Sequence, residues 1–368
     1  MFRKTADSFQ PGARTLPRDA YVSSGVFALE QDAIFGRLWN CIGRASSIAS
    51  PGQYVLREIA GESLIVVRGP DARVRAFFNV CRHRGTRLCV EGSGRFDDVI
   101  RCPYHAWTYA LDGRLLGAPH MQDAAGFNRG DYPLHQAAIA EWAGFVFVTI
   151  ARAPVPFEQW FAPVIERLER FPLADLRVIH AAEYDVRANW KLVFQNYSEC
   201  LHCPVIHPGL SERIPYQSGA NDFVEGPFLG GYMELTEGTQ SVTRTGRLCA
   251  PFVGEGDDRR RAFYYSMLPN LLLSVHPDYV NFYLLTPLAA DRTRIESAWL
   301  FAGDTNEVGD PADAVTFWDE VNRQDWAIVE RSQQGIASSR YSPGPYSPRE
   351  SIAAAWDREY LRLMGQRA

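Results

Sequence analysis

Hydrophobic positions change their spacing twice along the chain. Between residues 26 and 40, VFALEQDAIFGRLWN, the residues Phe27, Ile34, Phe35 and Leu38 recur at roughly helical intervals. From Gly52 to about Ile150 the apolar residues fall instead into short runs such as SLIVVRG, RVRAFFNV and AGFVFVTI, separated by turn residues, with Asp112-Gly113 a hairpin signal. That pattern predicts an all-β region. Beyond Pro154-Val155-Pro156, FEQWFAPVIERLERF (157–171) reads as an amphipathic helix, and strands such as NLLLSVH and VNFYLLTPL alternate with further helices. The expected organisation is α+β: an N-terminal helical segment over 1–39 packed on the C-terminal domain, an all-β domain over 40–156, and a larger α+β domain over 157–368.

A chain of 368 residues with 46% hydrophobic content can fill two cores without disulfides. Its net charge of −5 comes from 38 basic and 43 acidic residues scattered along the chain, so no basic stripe points to nucleic acid. No apolar run approaches the roughly 20 residues of a membrane helix, and the opening MFRKTADSFQPGARTLPRD lacks a signal-peptide core, so a cytoplasmic protein without membrane contact is expected. Seven cysteines, at 41, 81, 89, 102, 200, 203 and 249, are an odd number, which argues against a disulfide framework. Buried thiols or metal ligands remain. GSG at 92–94 lacks the third glycine and following helix of a dinucleotide fingerprint, so the chain shows no NAD or flavin site of its own.

Two constellations carry candidate chemistry. In the β region Cys81-Arg-His83 is followed, after 18 residues, by Cys102-Pro-Tyr-His105. Two thiolates and two imidazoles suit tetrahedral zinc, and equally a [2Fe–2S] cluster with cysteines on one iron and histidines on the other. Each half here contributes one of each, whereas zinc fingers keep like ligands paired, and that interleaving favours a two-iron cluster gripped by two loops. The second constellation, NWKLVFQNYSECLHCPVIHPG at 189–209, holds Glu199, His202 and His207 beside Cys200 and Cys203. Zinc on the cysteines and histidines is disfavoured on a helix, where neighbours such as His202 and Cys203 point about 100° apart. An open iron site with two histidines and one carboxylate is the alternative. A helix beginning near Asp310-Pro311 offers the carboxylate. Its apolar stripe runs through Ala314, Phe317, Trp318, Val321, Ile328 and Val329, and Asp325 lies inside it, while Asp319, Glu320 and Glu330 lie off it. A buried Asp325 must bind a metal or be paired, the plain alternative being a salt bridge to an arginine from another segment; otherwise it would cost several kcal/mol or take up a proton.

These motifs resemble a family. CRHRG with CPYHAWTY resembles the Rieske signature of ring-hydroxylating and demethylating non-heme iron oxygenases, NWKLVFQNYSECLHCPVIHP resembles the catalytic signature of their α (oxygenase) subunits, and QDWAIVERSQQG resembles the segment carrying their iron-binding aspartate. The resemblance implies an all-β Rieske domain and a catalytic domain of antiparallel sheet and helices. It implies Cys81 and Cys102 on one iron of the cluster, His83 and His105 on the other, a mononuclear Fe(II) on His202, His207 and Asp325, and Glu199 as the acid that bridges electrons from His105 of one subunit to His202 of the next. The 18-residue spacing is long for the family and implies an extended loop around EGSGRFDD. A homotrimer is implied, with O2 as co-substrate and NAD(P)H acting only through a separate flavin/iron–sulfur reductase, with or without a ferredoxin. The Glu form of NYSECLHC is similar to members acting on glycine betaine and related N-methyl amines, so oxidative N-demethylation is the expected reaction. Aromatic-ring hydroxylation is the runner-up, O-demethylation a third possibility, and an electron carrier without turnover the alternative of another class. Trp190 and Lys191 read as structural, and Cys200 and Cys203 as buried thiols. The pocket is expected among the aromatics of 205–300: Tyr216, Phe223, Phe228, Tyr232, Tyr264, Tyr265, Tyr279, Phe282 and Tyr283.

Overall fold

The alternating runs of the N-terminal third pair as antiparallel ladders. In the computed structural model, which describes residues 1–303 and 309–365, they form a seven-stranded sheet in the order Asn40–Arg44, Phe145–Thr149, Gln136–Trp142, Val74–Phe78, Glu62–Arg68, Gln53–Ile59 and Ser93–Arg95. Leu64, Ile65, Val66 and Val67 are all fully buried, so this strand is covered on both faces. A separate three-stranded sheet of Val99–Arg101, Thr108–Ala110 and Leu115–Gly117 holds the Asp112-Gly113 turn, with Gly113 at φ +89°. The stretch EGSGRFDD, expected as a loop, contributes the edge strand Ser93–Arg95 and then crosses to this second sheet, which uses its extra length. Cys81, Cys102, Trp107 and Tyr109 share a core with Tyr54, Ile65 and Phe77.

Two units result: Gln31–Trp160, and Met1–Glu30 together with Phe161–Ala368. The larger is built on an eight-stranded antiparallel sheet in the order Arg3–Lys4, Ala220–Phe223, Phe228–Glu234, Arg261–Met267, Leu271–Val275, Tyr279–Ala289, Arg292–Phe301 and Arg177–Val186. The fold class is therefore α+β. Helix Phe157–Leu168 forms where the amphipathic pattern predicts one. The predicted helix over 26–40 is cut short: Ser24–Glu30 is α-helical, Gln31–Phe35 is a π-helical turn, and a strand starts at Asn40. The cause is that Glu30 belongs to the larger unit's core, whereas the Phe35 carbonyl accepts from the Asn40 amide and serves the smaller unit.

Helix Ala312–Ile336 buries Ala314, Phe317, Trp318, Val321, Asn322, Trp326, Val329, Gln333 and Ile336. The stripe drifts toward Trp326 because 3.6 residues per turn does not divide seven, and Ile328 is left only half-buried. No helix among the described residues is long and apolar enough to cross a membrane.

One buried ionic group ties the N-terminal segment to this unit. Lys191 Nζ lies 2.5 Å from Glu30 Oε1, both side chains fully buried, and Glu30 also accepts from Trp190 Nε1 at 2.8 Å and Tyr360 Oη at 2.7 Å. Trp190 and Lys191 are thus structural, as their sequence context suggested. Burial pulls the Lys191 ammonium down to about 8 against the opposing pull of Glu30. Removing one partner strands a buried charge, which costs about 3–5 kcal/mol, whereas replacing both is far milder. Lys191→Met is expected to lower unfolding stability by about that amount, and the double variant Glu30→Gln/Lys191→Met to recover most of it, measured by urea denaturation.

Candidate metal centres

The helix Trp190–Tyr197 starts at Asn189, whose side chain accepts from Lys191 N, and ends at Tyr197. A single helix through 189–209 does not form: the chain turns over 198–202, a short helix covers Cys203–Ile206, and another begins at Pro208. Pro204 and Pro208 lack the N–H that a continuous helix would need from them. The break aims both histidines at one point. Their rings stand 5.3 Å apart with planes at 81°, and Asp325 Oδ1 approaches His207 Nε2 to 2.9 Å and His202 Nε2 to 3.3 Å. The potential ligand atoms of His202, His207 and Asp325 all lie within 4.8 Å of one another, the one such group of three or more among the described residues. Asp325 pairs with imidazoles and not with an arginine.

The remaining ring nitrogens are held from behind. His202 Nδ1 lies 2.6 Å from Glu199 Oε1, and His207 Nδ1 lies 2.6 Å from Gln324 Oε1. Each imidazole can donate from Nδ1 and turn its Nε2 lone pair to the centre, the orientation that partners behind metal-binding histidines impose. With no ion at the centre, burial lowers the basicity of His202 but Asp325 and Glu199 outweigh it and hold the ring up at about 10; a metal ion would take the place of the Nε2 proton. Burial also works against the Asp325 anion, and the two histidines overcome it, leaving its carboxyl below the usual range. Gln324 was not singled out in the sequence; its only signal is adjacency to Asp325 in QDW. The second oxygen of Glu199 accepts from Leu201 N, which fixes the carboxylate in the turn.

The cysteines of this segment correct the sequence reading. Cys200 and Cys203 form a disulfide and are not free thiols. The turn at 198–202 brings their Cα atoms to 5.0 Å, and Cys203 Sγ lies 3.8 Å from His202 Nε2, where a helix would have turned them apart. The other five cysteines are free and buried.

Above the centre opens a cleft of about 1050 Å³. Of the aromatics expected to line it, Tyr216, Tyr232, Tyr264 and Tyr283 do so, while Phe223, Phe228, Tyr265, Tyr279 and Phe282 do not. Tyr197, from the helix that ends just before the histidines, and Trp318 and Trp326, from the helix that carries Asp325, complete the wall, outside residues 205–300. Among the lining residues, Asn221 Nδ2, Tyr264 Oη and Trp326 Nε1 are buried donors with no hydrogen-bond partner.

In the smaller unit the two Cys/His loops share one design. Cys81 N donates to Thr86 O and Gly85 N to Cys81 O, just as Cys102 N donates to Trp107 O and Ala106 N to Cys102 O. The fourth residue after each cysteine is left-handed, Gly85 at φ +73° and Ala106 at φ +56°. Rings of His83 and His105 come to 4.7 Å. His83 Nδ1 is buried without a partner, and no three of the four side chains make a group as tight as His202, His207 and Asp325. A single tetrahedral ion would need that tightness; a two-iron cluster spreads its ligands over more space.

Residues 38–133 match the Rieske [2Fe–2S] domain family, and residues 173–366 match the catalytic domain of the ring-hydroxylating alpha subunits. The chain belongs to the Rieske oxygenases. It is 31% identical to the glycine betaine monooxygenase oxygenase subunit of Chromohalobacter salexigens, over 93% of this chain and 84% of that one. It is 39% identical to the carnitine monooxygenase oxygenase subunit of Escherichia coli K12, over 55% of this chain and 54% of that one. The crystal structure of the quaternary ammonium Rieske monooxygenase CntA with L-carnitine superposes with a TM-score of 0.78 at 26% identity, covering 98% of this chain and 97% of that one. A naphthalene 1,2-dioxygenase from Rhodococcus shares the fold, with a TM-score of 0.74 at 21% identity over 95% of this chain and 94% of that one. As a Rieske oxygenase the chain is an oxidoreductase, and the electron-carrier alternative falls away.

Alkylating the denatured apoprotein without reductant is expected to label five of its seven cysteines, and all seven after reduction. Mass spectrometry distinguishes this from a chain of free thiols, in which all seven react at once.

Proposed function

We propose that this oxygenase oxidises an N-methyl group of a quaternary ammonium compound of the betaine type. The observation that carries the reading is the convergence of His202, His207 and Asp325 beneath an aromatic cleft. Two imidazoles and one carboxylate on one side of an iron ion leave its other positions open. In this reading they hold the mononuclear Fe(II), while Cys81 and Cys102 hold one iron of the cluster and His83 and His105 the other. When bound, these groups supply O2 activation at the mononuclear iron and electrons delivered singly from the cluster.

The protein's part is placement. Tyr197, Tyr264, Tyr283, Trp318 and Trp326 line the cleft and offer aromatic rings to a quaternary ammonium, and Glu199, beside His202, lies in the same lining. One O2, two electrons and two protons convert N–CH3 to N–CH2OH and water; the carbinolamine then breaks its C–N bond to give a tertiary amine, formaldehyde and a proton. The names of the relatives, which include a choline monooxygenase of Spinacia oleracea, 25% identical over 91% of this chain and 74% of that one, support the ammonium class. Ring hydroxylation has behind it the description of the matched catalytic-domain family and a shared fold at 21% identity.

The electrons come from a separate reductase, and the working assembly is a trimer in which His105 of one subunit faces Glu199 of the next. Supporting this, each candidate loop carries exposed apolar side chains: Tyr104, 56% exposed, beside His105, and Leu201 and Val205, 37% and 82% exposed, beside His202. Such residues suit burial between subunits.

Chemically reduced enzyme exposed to O2 is expected to release formaldehyde from a quaternary amine in one turnover; a hydroxylated ring from an aromatic acid, with no formaldehyde, would replace this reading with its runner-up. Asp325→Ala should lower iron from about three to about two per chain with the cluster's absorption unchanged. Glu199→Gln should keep both metal groups yet lose at least about 100-fold in turnover, since a charged partner of a ligand histidine is removed from the electron path.

A further inference from the structure

Besides its acids, the cleft is lined by buried donors that the fold leaves unanswered. Across the eight-stranded sheet, Asn221 pairs with Gly231 and Gly231 with Tyr264, so the three stand in one cross-strand row and face the same side. All three line the cleft. Asn221 and Tyr264 are two strand spacings apart, roughly 10 Å between Cα atoms. The residue between them must be glycine, because a Cβ at 231 would lie 2.1 Å from the Ala220 carbonyl oxygen. The row therefore holds two polar side chains with no side chain between them.

Both are unsatisfied. Asn221 is 7% exposed and its Nδ2 has no hydrogen-bond partner, and the Tyr264 hydroxyl is likewise buried and unpartnered. A buried donor without an acceptor is costly, and native proteins rarely keep one that no ligand or water completes. Both groups can donate, and the same cleft is lined by Arg349, its one Lys or Arg, which makes no ion pair among the described residues. Donors and a cation call for an anionic oxygen ligand.

Building on the quaternary-ammonium reading, we propose that Asn221 and Tyr264, flanking Gly231, bind the carboxylate of the substrate and so select zwitterionic betaines over plain ammonium cations. The trimethylammonium end is then left to the aromatic rings of the wall. Tyr264 contributes its ring to the wall and its hydroxyl to the anion.

Isothermal titration of the iron-loaded, oxidised trimer without reductant tests this through binding alone. The probes are glycine betaine, choline and tetramethylammonium, with wild type, Tyr264→Phe and Asn221→Leu. Wild type is expected to bind glycine betaine at least about tenfold more tightly than either other cation, and each variant to lose about tenfold in betaine affinity while holding tetramethylammonium within about twofold. Retained tetramethylammonium binding also reports a folded site. Should Asn221→Leu fail to fold, Tyr264→Phe, which deletes one buried oxygen, decides alone. Variants that keep the wild-type preference would overturn the carboxylate assignment and leave the ammonium reading standing, as would wild type that binds choline as tightly as betaine. Wild type that binds none of the three would overturn both.

Discussion

A carboxylate on the core side of a helix is a liability unless something answers it, and the larger unit is organised around answering Asp325. The residue lies on Ala312–Ile336 between Asn322 and Val329, with its side chain only 16% exposed. An isolated anion there would take up a proton or destabilise the fold by several kcal/mol. Two imidazoles meet it instead, and they can do so only because the chain leaves its helix at Tyr197 and re-enters at Cys203. The break, the two prolines and the Cys200–Cys203 link are features of that one requirement. Glu199 and Gln324 then hold the far side of each ring, so the group is braced before any ion is considered.

Much of this was legible in the sequence because the signals were chemical. Asp325 stands out as a polar residue in an apolar stripe, and the Cys/His pairs stand out by residue type. What stayed hidden depends on backbone path. Nothing in NYSECLHC announces that the helix stops at Tyr197, so Cys200 and Cys203 read as buried thiols when the turn joins them. Nor could Ala106 be seen as the left-handed counterpart of Gly85, since alanine gives no sign of a positive φ. Gln324 and Trp326 flank Asp325 and both reach the site, yet ordinary helix periodicity assigns neither a task.

Local pattern determines the elements more than the seams between them. Alternation gave the β region and its hairpin, because strand period and turn residues are local properties. The end of the first helix was misplaced because Glu30 and Phe35 answer to different cores, and no local pattern distinguishes them. Glu30 is a further case of the rule that governs Asp325: a buried acid marks where a distant segment must arrive, here Lys191 and Tyr360. Both acids looked unremarkable by composition, and only Asp325 lay in a stripe regular enough to betray it.

Charge separates the two substrate classes that the aromatic wall alone leaves equal, once the ion the site would hold is counted. Rings stack on Tyr and Trp as readily as ammonium groups do, so the wall is indifferent. Asp325 does not break the tie, because as a ligand it sets its charge against that of the iron. Glu199 remains, an acid of the same lining that binds His202 Nδ1 and the Leu201 N–H and no ion. A quaternary ammonium cannot shed its charge by losing a proton, so it can draw on both the rings and this carboxylate, whereas a neutral ring draws on the rings alone. The arrangement thus favours a substrate whose reacting methyl carries the positive charge with it.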